Sequence, residues 1–451
     1  MKIFNSAKTE RFICDFHIHS KYSRATSRDM EPEALAYWAA IKGIKVVGTG
    51  DFTHPVWIKE LKEKLEPAEK GLYKLKDAKL AIKNNFNNAK IPAEVVSKIQ
   101  ASALGEIRFI LTAEISSIYS KGGKVRRVHN IVFAPSFEIA DKINEKLNTI
   151  GNLHSDGRPI LGLDSKDLLK IILNISTSAV LVPAHAWTPW FSVFGSKSGF
   201  DSLEECFDEY TKFIFAVETG LSSDPAMNWR LSKLDNISLI SNSDAHSPEN
   251  LGREANIFEG EVVDYYSIMS AIKNKGESDV KKTLPLKFVS TVEFFSEEGK
   301  YHYDGHRLCK ISMSPEETKK AKGICPVCGK PLTIGVMYRV DELADRAIGG
   351  KPAKFVPYKN LIPLKEIIAD AMGVAKGAKK VNEEYFKLIS HFETEFAILL
   401  DVDIKEIAKN TTSLIAEGIE KMRAGHVQLV PGFDGEYGKI KIFDGKKKEK
   451  Q

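Results

Sequence analysis

The chain is short of cysteine and has no long apolar stretch. Five cysteines in 451 residues, three of them at Cys309, Cys325 and Cys328, are too few and too oddly numbered for a disulfide framework. They point to a reduced, intracellular and therefore cytoplasmic protein with a local metal site. No uncharged apolar run approaches the ~18 residues of a membrane span, which excludes an integral membrane protein. The opening MKIFNSAKTERF lacks the apolar core of a secretory signal. Charge of one sign is also missing: 65 Lys and Arg against 60 Asp and Glu leave a formal +5, which permits nucleic acid as a partner without demanding it. No internal repeat or low-complexity block is present. With 43% hydrophobic and 28% charged residues the composition is that of a folded protein rather than a disordered one. Its length suggests roughly three domains.

In the first 250 residues apolar strand-type runs alternate with helix-type segments. The strand runs are 11–16, 44–47, 107–112, 128–133, 179–182, 213–217 and 237–240. Between the first two, Pro32 in a first turn, an apolar face at Leu35, Trp38 and Ala39, and Gly43 as a stop predict a helix. Residues 57–103 are Lys-rich and helical in pattern, long enough for a lid or insertion. The lysines of 59–90 mix with acids and read as a solvated helix face. Another helix is expected over 139–147, and Ser165 is a candidate cap for the next. About seven strands alternating with helices predict a parallel α/β barrel or sheet. Most of the conspicuous polar residues stand just past predicted strand ends, where barrel enzymes assemble their sites. After residue 285 the pattern changes to a strand at 288–295, the cysteine cluster and helix from 340 to 424, most periodic at 381–399 and 404–422. A hairpin over 427–443 turns at Asp434-Gly435, and a short basic tail follows.

His17 and His19, preceded by Asp15, share one face of an extended segment. A lone His-x-His is weak evidence, but Asp51, Glu114, His129, His185, Asp244 and His246 add similar features. Such a cluster cannot be buried without cations, because unpaired buried carboxylates are costly. Mixed imidazole and carboxylate donors suit zinc, iron or manganese. Several carboxylates suggest two or three ions sharing bridges, an arrangement that generates hydroxide and clamps both oxygens of a phosphate displacement. Zinc is expected there, with Mg2+ or Mn2+ as alternative activating ions. A second site is expected at His306-x2-Cys309 and Cys325-x2-Cys328, whose spacing fits a closed structural zinc. His302 competes with His306 as its fourth ligand. Cys14 and Cys206 read as core residues.

The order Asp15-x-His17-x-His19-Ser20, Gly48-Thr49-Gly50-Asp51, Ala113-Glu114, His129-Asn130, Ala184-His185 and Ser243-Asp244-Ala245-His246 resembles the PHP (polymerase and histidinol phosphatase) phosphoesterases. The resemblance covers roughly residues 1–285 and implies a distorted seven-stranded (β/α) barrel with a trinuclear metal cluster. Its ligands would be His17, His19, Asp51, Glu114, His129, His185, Asp244 and His246. Asp51, His185, Asp244, His246 and Glu218 would be catalytic. The chain departs from many members at Tyr22-Ser23 and Phe52, where they carry histidine, and His54 is a candidate substitute. The segment from Glu218 through Asp224 to Arg230, with a zinc module and helical tail after the barrel, is similar to the endonuclease Q family within that group. That likeness implies a metal-dependent endonuclease of DNA repair. It would nick the phosphodiester 5′ of uracil, hypoxanthine, xanthine or an abasic site, in double- or single-stranded DNA, by metal-bound hydroxide and base flipping. It divides the chain into a barrel (1–285), a zinc module (286–340), a helical DNA-binding domain (341–426) and a terminal hairpin with tail (427–451). Some relatives end in a sliding-clamp peptide; this tail has no clear clamp motif.

The segment after His185 holds Trp187, Trp190, Phe191 and Phe194, then Lys197. It reads either as a plug closing the barrel or as a stacking wedge for an unstacked nucleotide. Tyr22, Arg24, Arg28, Arg126 and Arg127 flank ligand positions; the arginines could hold phosphates or be solvated surface charges. Two rival functions fit less of the chain. A small-molecule phosphoesterase of histidinol-phosphatase type leaves the zinc module and helices without a role. A non-catalytic nucleic-acid-binding module is hard to reconcile with the near-complete ligand set.

Overall fold

A computed structural model of the chain describes residues 9–78, 101–275 and 285–443. Much of the Lys-rich stretch and the basic tail lie outside the described residues. The strands of the first part are β1 (Glu10–Asp15), β2 (Val46–Gly48), β3 (Leu65–Pro67), β4 (Tyr73–Leu75), β5 (Arg108–Lys121), β6 (Lys124–Ala134), β7 (Ile160–Leu161), β8 (Val180–Pro183), β9 (Ala216–Glu218), β10 (Ser238–Ile240) and β11 (Ala255–Gly260). There follow β12 (Leu286–Glu293), β13 (Asp304–His306), β14 (Ile311–Met313), β15 (Tyr358–Asn360), β16 (Gln428–Val430) and β17 (Lys439–Lys441). All the strand-type runs expected before residue 250 appear, as β1, β2, β5, β6, β8, β9 and β10.

The fold is mixed α/β around a central sheet ordered β15-β12-β11-β1-β2-β5-β4-β3, with β6 and β7 also on β5, and β8 on β6. β9 and β10 pair only with each other. The expected all-parallel arrangement is not what forms. β1, β2 and β5 are parallel, but β5–β6 and β6–β8 are antiparallel. The reason is Gly122-Gly123, with φ of +61° and +72°, which turns β5 straight back into β6. Glu114 and His129, expected at strand ends, therefore lie within a continuous hairpin ladder, where Glu114 faces Ile131 and Ser116 faces His129. Of the seven expected strands, the ladders place β1, β2, β5, β6 and β8 in the mixed sheet and β9 with β10 in a separate pair.

The Pro32–Lys42 helix starts at its proline and ends at Gly43, whose φ of +84° lets its N–H reach the carbonyls of Ala39 and Ala40. Nearly every residue of this helix is buried, as expected of one apolar all round and covered on both sides. The C-terminal helices cover its outer side, with Trp38 and Phe386 ring centroids 6.4 Å apart. A buried ion pair, Lys42 to Glu395 at 2.9 Å, ties the two layers, and the Tyr385 hydroxyl donates to the same carboxylate at 2.8 Å. The helix expected from residue 57 ends at Lys64 and gives way to the β3–β4 hairpin. Asp164, not Ser165, caps the Ser165–Ile175 helix by accepting from the Lys166 N–H at 2.8 Å. The strand assigned to the zinc module, β12, extends the central sheet beside β11.

Helix does not run unbroken from residue 340. Val336–Leu343 ends before β15, which pairs with β12. Glu393, at φ +72°, then breaks the 381–399 period after the Lys379–Phe392 helix. β16 and β17 form the expected terminal hairpin, with positive φ at Asp434 and Gly435. No helix among the described residues is long and apolar enough to cross a membrane.

Candidate functional site

Past the end of β1 the chain stays extended. The Phe16 N–H donates to Asn242 Oδ1 at 2.9 Å and the His19 N–H to the Ala245 carbonyl at 3.0 Å. Those bonds turn His17 and His19 toward the same side. Each imidazole is gripped from behind. His17 Nδ1 is 3.0 Å from Glu218 Oε1, and His19 Nδ1 is 3.2 Å from Asp51 Oδ1. With Nδ1 engaged, both Nε2 atoms are presented inward, the usual way a protein aims histidine at a metal.

Inside, one carboxylate is shared. Glu114 Oε2 is 3.5 Å from His17 Nε2 and 3.3 Å from His19 Nε2. Asp244 Oδ1 completes that group, 3.0 Å from His19 Nε2. The other oxygen of Glu114, Oε1, is 2.6 Å from His129 Nδ1 and 3.0 Å from His185 Nε2. His185 in turn has Nδ1 3.2 Å from the Thr188 hydroxyl. Two donor groups, His17–His19–Glu114–Asp244 and Glu114–His129–His185, thus meet at Glu114.

The surroundings are built for this approach. Asp51, His185 and Asp244 have φ of +47°, +28° and +47°, a left-handed backbone that costs energy for non-glycine residues and concentrates at functional sites. A Cβ on Gly220 would lie 2.5 Å from that of His185, and one on Gly157 would lie 2.3 Å from Asp51 Oδ2. Both positions need glycine for contact reasons.

The electrostatics show a strong demand for positive charge. Burial opposes protonation of His17, yet Glu218 and Glu114 hold its pKa well above the ordinary histidine value. Burial of His19 is likewise outweighed by Asp244 and Asp51. Burial pushes His129 down to about 4. Against burial, His129, Arg158 and His17 hold Glu114 well below the usual carboxylate range. Meanwhile His17 Nε2, His19 Nε2 and Asp244 Oδ1 are buried without a hydrogen-bond partner. A site that draws positive charge onto its buried imidazoles fits divalent ions, and the nitrogen–carboxylate donor set suits transition metals.

Some expected site residues lie outside both donor groups. Asp51 accepts from the Ser20 N–H at 2.6 Å, the Ser20 hydroxyl at 2.7 Å and the Ser23 hydroxyl at 2.8 Å, and so supports His19 from outside both donor groups. Glu218 accepts from the His185 N–H at 2.8 Å and from Asn242 Nδ2 at 2.8 Å, which makes it the support of His17. His246 packs beside His19, ring centroids 4.5 Å apart, with Nδ1 2.8 Å from the Asp244 carbonyl, and joins neither group. His54 caps the Pro55–Lys64 helix and stacks on Tyr22 at 4.5 Å.

One residue went unread in the sequence. Arg158 donates to Glu114 Oε2 at 2.9 Å, with its side chain 31% exposed at the edge of the site. A lone arginine in a loop carries no spacing signal. Only the neighbouring Gly157 hints at the close approach.

The aromatic segment divides. Trp187 and Phe194 are buried, and Trp187 Nε1 donates to Asn228 Oδ1 at 2.8 Å, so both belong to the packing. Trp190 is half-buried with its ring edge-on to Tyr301 at 5.5 Å, and Phe191 lies against His129 at 4.7 Å. Lys197, Arg24 and Arg28 are exposed, and Arg24 Nε lies 3.2 Å from Asp156. Arg126 donates to the Gly199 carbonyl and lies over the Phe200 ring at 4.1 Å. The half-buried Arg127 lies over Phe191 at 5.7 Å.

The second donor group gathers His306, Cys309, Cys325 and Cys328, with all four ligand atoms within 4.8 Å of one another. His302 is buried elsewhere and does not join it. Although burial opposes it, the N–H groups of Cys328 and Val327 draw the Cys325 thiol down to about 6, which favours a thiolate ligand.

Residues 363–426 match the family model of the MJ0043 C-terminal domain. Uncharacterized protein MJ0043 of Methanocaldococcus jannaschii is 35% identical over 258 residues, 57% of this chain; the match spans only 31% of that longer protein. The crystal structure of the lesion-specific endonuclease PfuEndoQ from Pyrococcus furiosus is 30% identical and superposes with a TM-score of 0.80 over 98% of both chains. Endonuclease Q in complex with a 27-mer duplex substrate, an abasic lesion at its active site, is 31% identical with a TM-score of 0.79, over 98% of this chain and 99% of that one. With likeness at that identity over nearly the whole length of both solved chains, the protein belongs to the endonuclease Q family.

Proposed function

We propose that the chain is a metal-dependent DNA-repair endonuclease that nicks the phosphodiester 5′ of a damaged nucleotide. The damage would be a deaminated base (uracil, hypoxanthine or xanthine) or an abasic site. The observation that carries this reading is Glu114, one buried carboxylate shared between two imidazole-rich donor groups. Ions held there by His17, His19, Glu114, Asp244, His129 and His185 would supply a hydroxide near neutral pH and neutralise charge on the phosphate. Zinc in the knuckle, and zinc, Mg2+ or Mn2+ in the main site, match the donor types. Glu218 and Asp51 fix the direction of His17 and His19. Arg158, held by Glu114 but reaching the edge of the site, would offer its remaining N–H groups to a non-bridging phosphate oxygen. Trp190 and Tyr22 would flank the unstacked nucleotide.

The seven strands β1, β2, β5, β6, β8, β9 and β10 are read as the staves of a distorted barrel. Residues 1–285 would then be the catalytic unit, 286–340 the zinc module, and 341–426 a helical DNA-binding unit ahead of the terminal hairpin.

The test compares three substrates under one metal condition: a duplex with a single uracil, the undamaged duplex and a small phosphomonoester. Nicking of the first alone supports the reading. Efficient turnover of the monoester with an intact lesion duplex would replace it with a small-molecule phosphoesterase.

A further inference from the structure

We infer that Arg339 is a positioning residue through which the zinc module sets the geometry of the metal centre. The chain of contacts starts at the cysteine cluster. His306 ends β13, and its neighbour Gly305 exchanges two backbone bonds with Thr333, at 3.0 and 2.8 Å. Three residues after Thr333, the Val336–Leu343 helix is pinned at its start. The Gly335 N–H donates to Asp304 Oδ1 at 2.6 Å, Val336 N–H to the Tyr301 carbonyl at 2.7 Å, and Met337 N–H to the His302 carbonyl at 3.0 Å. A knuckle that holds its ion therefore holds this helix in place.

From that helix Arg339 reaches the loop after His185. It is 8% exposed. Its Nε donates to the Phe194 carbonyl at 3.1 Å and Nη2 to the Phe200 carbonyl at 3.2 Å. Asp201 and Glu342 take further guanidinium N–H groups. The fork thus fixes two points of the loop at once, which a planar guanidinium does and a single ammonium does not.

The loop carries that constraint to the metal donors. Phe194 N–H donates to the Ala186 carbonyl at 2.9 Å, next to His185, and Phe200 N–H to the Val193 carbonyl at 2.7 Å. The Phe191 carbonyl accepts from the His129 N–H at 3.1 Å, while the Phe191 ring packs on the His129 ring. Thr188, whose hydroxyl faces His185 Nδ1, is tied to Ser192 through its carbonyl at 2.5 Å. His129 and His185 are two of the three donors in one group. Their backing is the loop that Arg339 holds.

This inference rests on the metal-centre reading, so its test reads metal binding without DNA as well as cleavage. Full-length Arg339→Met, Arg339→Lys and Arg346→Met variants are compared with wild type, each with its knuckle zinc confirmed by elemental analysis. Arg346 bridges to Asp235 at 2.6 Å and touches no part of the loop, so it controls for weaker docking. The expected result for Arg339→Met is a loss of about ten- to hundredfold in both Mn2+ affinity and kcat, the scale seen when support of a metal ligand is removed, with KM for lesion duplex unchanged. Arg339→Lys should fall between, and Arg346→Met should match wild type. Wild-type Mn2+ affinity in Arg339→Met, or an equal loss in Arg346→Met, overturns the inference. If Arg339→Met does not fold, wild-type affinity in Arg339→Lys overturns it. A wild-type protein that binds Mn2+ but nicks no lesion refutes the nuclease reading and leaves this one standing.

Discussion

Glu114→Gln is the substitution that the site should tolerate least. The amide keeps the shape but removes a charge whose oxygens lie 2.6 Å from His129, 2.9 Å from Arg158, 3.0 Å from His185, 3.3 Å from His19 and 3.5 Å from His17. At an effective dielectric of about 20, one unit charge at 3 Å from another is worth roughly 5 kcal/mol. The amide oxygen recovers part of that as a neutral ligand. A net loss of about 3 to 4 kcal/mol per ion corresponds to roughly two to three orders of magnitude in affinity. Because Glu114 serves both donor groups, both ions should be lost together. Asp244→Ala should empty only the His17–His19 side, and His185→Ala only the His129 side. All three should abolish cleavage while keeping most DNA affinity, which comes chiefly from phosphate contacts spread over the protein. Elemental analysis after dialysis gives the ion count, and a labelled lesion duplex gives nicking and binding. Glu114→Gln that keeps its ions, or that loses only one, would refute the shared-carboxylate geometry.

Other outcomes follow from the same structure. Cys325→Ser should lose the knuckle zinc, loosen residues 300–340 and, through Arg339, weaken metal binding at the main site without emptying it; an unchanged zinc count contradicts this. Trp190→Ala should slow nicking of a paired lesion more than of the same lesion in single-stranded DNA, where less unstacking is needed. Equal loss on both leaves Trp190 as packing. Trp187→Ala should cost about 3 to 5 kcal/mol of stability by opening a core cavity, measured by denaturant unfolding. Glu395 is buried, and although burial alone would raise its pKa, Lys42 holds it below the usual value. A depressed folded-state pKa contributes stability that is present above the unfolded value and is lost as pH falls through the folded one. Melting temperature should therefore drop below about pH 4.5. Glu395→Gln should flatten that dependence and cost about 3 kcal/mol at neutral pH by leaving Lys42 unpaired; an unaltered pH profile would be inconsistent with the buried pair.

What could be read in advance depended on whether a residue's role shows in its spacing. His17 and His19 were legible because extended chain has a period of two. The cysteine knuckles were legible because chelation dictates short loops. Carboxylates were harder. Asp244 and Asp51 both sit in a conspicuous motif after a strand, yet Asp244 faces the other donors while Asp51 is spent on Ser20, Ser23 and the back of His19. Spacing does not distinguish a donor from its support, because both must be buried and polar. The β5–β6 hairpin is not legible because the second half of β5, with Ser116, Ser117, Ser120 and Lys121, has no apolar run to mark it as strand before the glycine turn at 122–123. Trp187 and Trp190 are three residues apart, and only the fold separates the buried residue from the half-buried one.

The most direct measurement is nicking of a duplex with one uracil, mapped at nucleotide resolution, before chelation, after chelation and after divalent metal is restored. A metal-dependent lesion nuclease gives a single cut 5′ of the uracil, none after chelation, and the same cut again on re-addition. Cleavage that survives complete removal of metal from the His17–His19–Glu114–Asp244 and Glu114–His129–His185 groups, or metal-restored protein that leaves the uracil strand intact, would contradict it.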